Sequence, residues 1–409
     1  MSNVTNNPLI YKIGKVAIAS FVATAAVILL RQLGFLEVFE LQAFDQLLRW
    51  QTRGEKEERV LVVGITEDDL TSFQDSSVPD GLLAEAVGKL QDNGARVIAL
   101  DILRDIPVGQ GREDLLQELA KSNVVATCQM NEGDNPGVAP PPDLTEEQIG
   151  FADLPIDIDG VQRRAFLLAI PALSEIEYEN EHLCNDPDAD LDSLAFATAT
   201  LYLEEDGIEA EFTENDEIQL GSALIQPLSD NAGGYADTYS GGFQILIDYP
   251  MGKNPQNVVS FGDVIDGEVD PALIRDRAVL IGYTAPSAQD IFETPYSATL
   301  KTNPLMAGVV VHGQITSQIL GAALDNRPLI WYLPQPLEWL WILAGATVGG
   351  IIASLKTKTW LILLADGVVI ALLVGICYGV FQSGGWIPLI PVVLVLVGSS
   401  VVVKVISKS

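Results

Sequence analysis

Four stretches of this 409-residue chain are apolar and long enough to cross a bilayer, whose hydrocarbon core takes roughly 20 residues of helix. The first runs through KVAIASFVATAAVILL and ends near Leu30; the others lie near 337–355, 360–381 and 386–403. The last three are separated only by KTKT and QSGG, whereas the mixed-composition chain between the first and second has to fold in water. This pattern predicts an α-helical membrane region of four transmembrane helices, one N-terminal (1–34) and three C-terminal (337–409), with one large lobe, 35–336, between them. A cleaved signal peptide is the competing reading of the first span, because Lys12 and Lys15 precede it and ATA at 23–25 resembles a cleavage site. The run continues through AVILL, longer than a signal needs, which favours an uncleaved anchor.

Orientation follows from the basic residues of the short loops, since cytoplasmic loops carry the excess of Lys and Arg. Lys12 and Lys15 precede the first span, Lys356 and Lys358 lie between the second and third, Lys404 and Lys408 close the chain, and QSGG is uncharged. With four spans these basic ends share one side. Both termini are then cytoplasmic and the lobe is extracytoplasmic, in a periplasmic space; Arg31 is the one basic residue at the opposite end. Residues 32–336 hold 16 Lys and Arg against 53 Asp and Glu. So acidic a surface repels nucleic acid and anionic headgroups and keeps an external domain soluble. Cys377 falls in the third span, which leaves Cys128 and Cys184 as the pair that a bridge could join in an oxidising compartment. Two buried thiols and one disulfide fit the sequence equally well.

Leu36, Phe39, Phe44, Leu47 and Leu48 recur at helical spacing and predict a helical continuation of the first span over 35–53, kinked at Gly34. ERVLVVGIT reads as a strand ending at EDDL, LLAEAVGKLQDNG as a helix stopped by Gly94, ARVIALDI as a strand, EDLLQELAKS as a helix and NVVATC as a strand. This alternation predicts an α/β lobe with a largely parallel sheet. Further on, VQRRAFLLAI, GGFQILIDYP and RAVLIGYT read as strands and LAFATATLYLEE as a helix, and Asp270 with Pro271 marks a local helix start. GVVVHGQITSQILGAAL reads as a strand turning into a helix that ends just before Arg327 and Pro328.

The sequence has no GxxxxGKS/T, GxSxG, HExxH or CxxC, and its histidines are His182 and His312, too few for most metal or nucleophile constellations. No cofactor is implied. Glu67, Asp68 and Asp69 follow a strand, where a parallel sheet collects its ligands, or simply open a helix. DPDADLD, 186–192, alternates carboxylates as a calcium loop does but lacks the central Gly and bidentate Glu of an EF-hand, so a solvated loop is the plainer reading. Asp366 lies inside the third span, where a carboxylate at a helix centre costs roughly 2.5 to 3.5 kcal/mol. It either snorkels to the interface or contacts another helix.

FDQLLRW, VLVVGITEDDL, ARVIALDIL, GFADLPIDIDGVQRRAFLLA, RAVLIGYTAPSAQDIFETPYS and MAGVVVHGQITSQIL, in this order and spacing, resemble the successive blocks of the second class of CHASE domain, the extracellular sensor associated with cyclases and histidine kinases. The resemblance covers 43–329, and the three closing spans match its usual arrangement. It implies an extracytoplasmic α/β sensor that signals through membrane helices to a cyclase, kinase or similar output. On it, Asp101 corresponds to the aspartate closing the second strand, Asp159, Gly160 and Arg163 to an Asp-Gly-x-x-Arg turn, Gly282 to the glycine after the late strand, Asp290 to the acid before a Thr-Pro pair, and His312 to the histidine opening the final helix. FQDSSVPDG replaces the family's Gly-x-Trp-Pro-Trp stretch. Only KVISKS follows the last span, so the resemblance is to a stand-alone form without an output domain.

Strand alternation sends the adjacent Arg163 and Arg164 to opposite faces. Arg163 is expected inward, pairing with lobe carboxylates, and Arg164 outward in water, where truncation is silent; ligand recognition by Arg163 is the alternative to a structural clamp. The chain reads as a membrane-anchored sensor or interaction protein and not an enzyme. Its expected partners are the bilayer, a separate output protein or membrane complex, and a second copy in a homo-oligomer. The alternatives are a hydrolase using Glu67, Asp68, Asp69 and Asp101 around a divalent cation, and a scaffold subunit. Orientation is testable with single cysteines in a cysteine-free background: an impermeant thiol reagent on intact cells labels Ser240→Cys and spares Lys356→Cys, and labelling at 356 reverses the topology.

Overall fold

A computed structural model describes residues 8–51, 58–73, 77–174, 178–239, 241–250, 252, 257–297, 305–355 and 357–408; Ser240 and Lys356 lie outside them. In chain order the helices are α1 (Pro8–Gln32), α2 (Glu37–Trp50), α3 (Glu67–Phe73), α4 (Asp80–Asp92), α5 (Arg112–Leu119), α6 (Leu194–Glu204), α7 (Phe261–Asp266), α8 (Gly308–Asp325), α9 (Gln335–Ser354), α10 (Thr359–Phe381) and α11 (Ile390–Lys408). The strands are β1 (Val60–Ile65), β2 (Val97–Asp101), β3 (Val124–Cys128), β4 (Ile149–Phe151), β5 (Arg164–Ala169), β6 (Leu191–Asp192), β7 (Ala210–Phe212), β8 (Ile218–Leu220), β9 (Ala223–Ile225), β10 (Phe243–Leu246), β11 (Val258–Ser260), β12 (Ala278–Tyr283), β13 (Ile291–Phe292), β14 (Met306–Ala307), β15 (Trp331–Tyr332) and β16 (Gly385–Trp386). They form two units: a lobe of Arg53–Leu228 and Gly241–Leu329, and a helical unit of Met1–Thr52, Ser229–Ser240 and Ile330–Ser409.

The lobe is built on a six-stranded sheet in the order β11-β1-β12-β2-β3-β4. Every pairing in it is parallel. Strands β1, β2, β3 and β12 are short, nearly continuous apolar runs, the pattern of strands covered on both faces. On one face Leu61, Val63 and Ile65 of β1 join Leu83, Val87 and Leu90 of α4, Leu115 of α5 and Phe261 of α7 in a single core. Helices α6 and α8 cover the other face. Two strands read from the sequence lie elsewhere, because β10 and β5 pair antiparallel in a separate sheet with β6. The expected strand at Val309 to Val311 is instead the first turn of α8. All three valines are buried, and packing between layers outweighs the strand preference of β-branched residues. Cys128, at the end of β3, is disulfide-bonded to Cys184, 56 residues on; this tie fastens the acidic insert to the sheet.

The helical unit has three helices long and apolar enough to cross a membrane, within α1, α9 and α10, whereas the apolar part of α11 spans the shorter stretch Ile390–Ile406. The fourth apolar run is helical only from Ile390, because Gly385 and Trp386 pair with β15 and Pro388 and Pro391 follow. Helix α1 runs antiparallel to α9 and α11: Lys15 Nζ donates to Ile406 O at 2.9 Å, Ser20 Oγ to Ala346 O at 3.1 Å, and Arg31 pairs with Glu338 at 2.8 Å. Arg31 also donates to the Gly233 carbonyl, so the basic residue at the far end is neutralised in place. Helices α9 and α11 lie parallel along Gly345, Ala346 and Gly349, with Ser399 Oγ donating to Ala346 O at 2.6 Å and Ser400 Oγ to Gly349 O at 2.9 Å. Small residues and hydroxyl bonds of this kind hold helices together where the hydrophobic effect cannot. Asp366 is buried and accepts from Ser400 Oγ at 3.2 Å, a contact within the bundle and not a snorkelled side chain.

Helix α2 belongs to this unit and not, as its position beyond the first span suggests, to the lobe. A turn at Gly34, φ +76°, separates it from α1. Its apolar face packs Phe44 against Phe381 and Trp386, ring centroids 5.6 and 4.7 Å away. Glu40 accepts from the amides of Leu389 and Ile390 at 2.9 and 2.8 Å, capping the start of α11. A β-carbon on Gly349 would collide with the Leu396 carbonyl, whereas one on Gly367 meets nothing. Gly349→Leu is therefore expected to cost roughly 1–3 kcal/mol through overpacking, read as a lower thermal midpoint in detergent. Gly367→Ala should cause no such loss.

Candidate functional site

Asp101, Gly282, Asp290 and His312 come from four distant parts of the chain and gather at the C-terminal edge of the parallel sheet, where such folds place their ligands. Asp101 ends β2 beside Gly282 of β12, with which it is in register. A β-carbon on Gly282 would stand 2.6 Å from the Val309 side chain and 3.2 Å from Asp101, so the missing side chain lets the first turn of α8 close onto the sheet. That closure brings His312 Nε2 to 4.0 Å from Asp101 Oδ1, both side chains being buried. Asp290 lies where Gly308 opens α8, its carboxylate filling the place a side chain at 308 would take, and its carbonyl accepts from Gly308 N at 3.1 Å.

The electrostatics follow from this burial. Desolvation pushes the Asp101 carboxyl up to about 7. Desolvation, reinforced by the charge of Asp101 and opposed by His312 and the Gly308 amide, pushes Asp290 up to about 6. Burial drives His312 down to about 4 against the pull of Asp290, the Ala152 carbonyl and Asp153. The two carboxyls can hold or release a proton near neutrality, whereas the His312 ring stays neutral there.

Asp159, Gly160 and Arg163 form a second group. The Asp-Gly turn, with Gly160 at φ +84°, folds Asp159 back so that its two oxygens accept from Arg163 Nη1 and Nη2 at 2.8 Å each. Arg163 Nη1 also donates to Asp157 Oδ2 at 2.9 Å. Burial works against the Asp159 anion, yet the hydrogen bond and charge of Arg163 hold its carboxyl below the ordinary range. Arg164 does not face water. It is 5% exposed, donates from Nε to Asp157 Oδ1 at 2.7 Å, and reaches Gln244 Oε1 at 2.7 Å. The alternation rule fails here because β5 begins at Arg164, so Arg163 lies outside the regular strand. The two groups are joined through the backbone: Gln162 N donates to Glu293 O at 2.7 Å, three residues after Asp290.

The other candidates have local partners. Asp69 accepts from Thr66 N at 2.8 Å and Gly262 N at 3.0 Å, and Glu67 accepts from Ser287 N at 2.8 Å. With Asp68 they open α3. Asp186 Oδ1 accepts from Asp188 N at 3.0 Å in the DPDADLD loop. Among the described residues no three His, Cys, Asp or Glu side chains are grouped as metal ligands, so Glu67, Asp68, Asp69 and Asp101 do not assemble into one cation site. His182 lines a cavity of about 460 Å³ with Tyr178, Glu181, Asn185 and Asp186. In the segment that departs from the family's Trp-Pro pattern, fully buried Asp80 lies 3.3 Å from Arg104 and 3.5 Å from Arg112. Sequence reading overlooked Asp157 and Asp153; the alternating IDID just before the arginine pair was the available signal for Asp157.

The lobe is an α/β unit on a parallel sheet, and the helical unit has three helices long and apolar enough to cross a membrane. The chain belongs to the CHASE2 domain family, whose model matches residues 22–351. No curated protein and no solved structure matches it.

Breaking a buried pair leaves an uncompensated charge and costs about 3–5 kcal/mol. Because Asp157 is shared, Arg163→Ala and Arg164→Ala should both destabilise the lobe on this scale in urea unfolding. A silent Arg164→Ala would return that side chain to water.

Proposed function

We propose that this CHASE2 chain is a membrane-anchored extracytoplasmic sensor that relays a change in its lobe, through its membrane helices, to a separate output protein. The observation that carries the reading is the family match, which takes in the C-terminal part of the first apolar helix, the whole lobe and most of α9. Sidedness is supported by the Cys128–Cys184 bridge, a bond that persists where thiols are not kept reduced. A count of four spans is supported by the run of α1 against α9 and α11: if α11 also crosses, Lys12, Lys15, Lys358 and Lys404 fall at one membrane face, as cytoplasmic ends require. Because Cys377 is the free cysteine, the labelling test needs only its replacement and can keep the disulfide.

The relay rests on chain continuity. Residues 326–334 alone separate α8, which carries His312, from α9. A displacement of α8 therefore reaches the membrane region through a short segment containing Pro328 and Pro334. A flexible Gly-Ser insertion after Leu329 does not transmit displacement. It should leave the protein folded and membrane-inserted while abolishing the response of a partner captured by crosslinking. A partner that responds identically with and without the insertion would favour a passive scaffold.

A further inference from the structure

Buried polar clusters that serve only as structure are normally closed by hydrogen bonds, as the Arg163 clamp is. The Asp101–Asp290–His312 cluster is closed only in part, by the Gly308 amide at Asp290 and the Ala152 carbonyl at His312. His312 is 2% exposed, and neither its Nδ1 nor Asp101 Oδ2 closes a hydrogen bond of normal geometry among the described residues. Two carboxylates and an imidazole, drawn from β2, the loop before β13 and α8, meet with the Asp101 and His312 side chains buried and Asp290 partly so, and among the described residues no lysine or arginine forms an ion pair with any of the three. Asp153, which accepts from Met130 N at 2.9 Å, and Glu132 beyond it add further negative charge. Of the elements packed on α8, strands β1, β12 and β14 carry no Asp, Glu, His, Lys or Arg, and the one charged residue of α6, Glu204, is exposed. Desolvation and mutual repulsion favour the protonated, uncharged form of the two carboxyls in such a cluster.

We propose that the Asp101–Asp290–His312 cluster is a proton-operated switch that holds the first turns of α8 on β2 and β12 when protonated and loosens them when both carboxylates ionise. This names the proton as an input to the sensor proposed above and rests on that reading for its signalling role. The direction follows from linkage. A carboxyl whose folded value is raised favours the folded state at low pH, and that contribution is lost as pH rises through about 6 for Asp290 and about 7 for Asp101. His312, lowered to about 4, works oppositely between there and its ordinary value of about 6.5. Two groups against one leave the lobe held more firmly at mildly acidic than at mildly alkaline pH.

The test is hydrogen–deuterium exchange of the full chain in detergent at pH 5.5 and pH 8, corrected for intrinsic rates, comparing peptides over 306–318 with peptides over 60–92. Opening of 306–318 should be about tenfold greater at pH 8, the equivalent of one pKa unit, with no matching change in the reference. Asp101→Asn with Asp290→Asn should remove the difference, and His312→Gln should enlarge it. A difference that persists in the double variant, or none in the wild type, overturns the switch. Should the double variant fail to fold, the NMR titration of His312 in the wild-type chain decides: a ring neutral down to about pH 4–5 supports the switch, and ordinary titration near 6.5 overturns it. If this pH response holds while the Leu329 insertion leaves partner response intact, the sensor reading fails and the switch stands; the reverse pair of results removes the switch alone.

Discussion

The seating of α8 on the parallel sheet is the contact on which the lobe depends. The helix is buried from Gly308 to Ala323, and a helix without a solvent face has to lie between layers. Its polar residues are put to use there. Gln318 donates to Leu246 O and accepts from Asp248 N, both at 2.8 Å, tying α8 to the end of β10. Thr316 Oγ1 returns to His312 O at 2.9 Å. Two glycines set how near the helix can come, Gly282 beneath Val309 and Gly308 beside Asp290. A side chain at either would lift the first turn away and separate His312 from Asp101.

Much of this was legible because the lobe's strands are short, apolar and punctuated by turns, so a largely parallel sheet could be read from their alternation with helices. The EDD run could be read as a helix start for the same reason, its carboxylates sitting where amides are free. What could not be read was long-range insertion. Nothing local places β12, some 180 residues later, between β1 and β2, yet that insertion is what sets Gly282 beside Asp101. Arg164 was misassigned because alternation holds within a regular strand, and that regularity begins only at Arg164, leaving Arg163 outside it. Cys128 and Cys184 could be named as the pair for a bridge, but whether they bond was not legible until the fold brought them together.

The helical unit shows a different economy of interactions. Lipid offers no hydrophobic drive between helices, so the bundle relies on close backbone approach at Gly345 and Gly349, on hydroxyl bonds to carbonyls, and on charges that meet in pairs. Arg31 looked like an exception to the distribution of basic residues only while Glu338, more than three hundred positions away, was not known to face it. Glu40 is the complementary case, a carboxylate at the helix start where backbone amides and the dipole favour it.

Residues 229–240 leave the lobe's sequence and return to it, yet they fold with the helical unit, where Gly233 receives Arg31 and the Tyr235 ring stands 5.9 Å from Trp386. The two units are thus joined by four passages of the chain and not by two. Modularity is limited accordingly. Excising 53–329 as a soluble fragment would carry along a segment stripped of its partners, with Tyr235, 1% exposed in the whole chain, left in water. Transplanting the lobe onto foreign membrane helices would fail at the same place unless residues 229–240 were replaced by a short neutral turn.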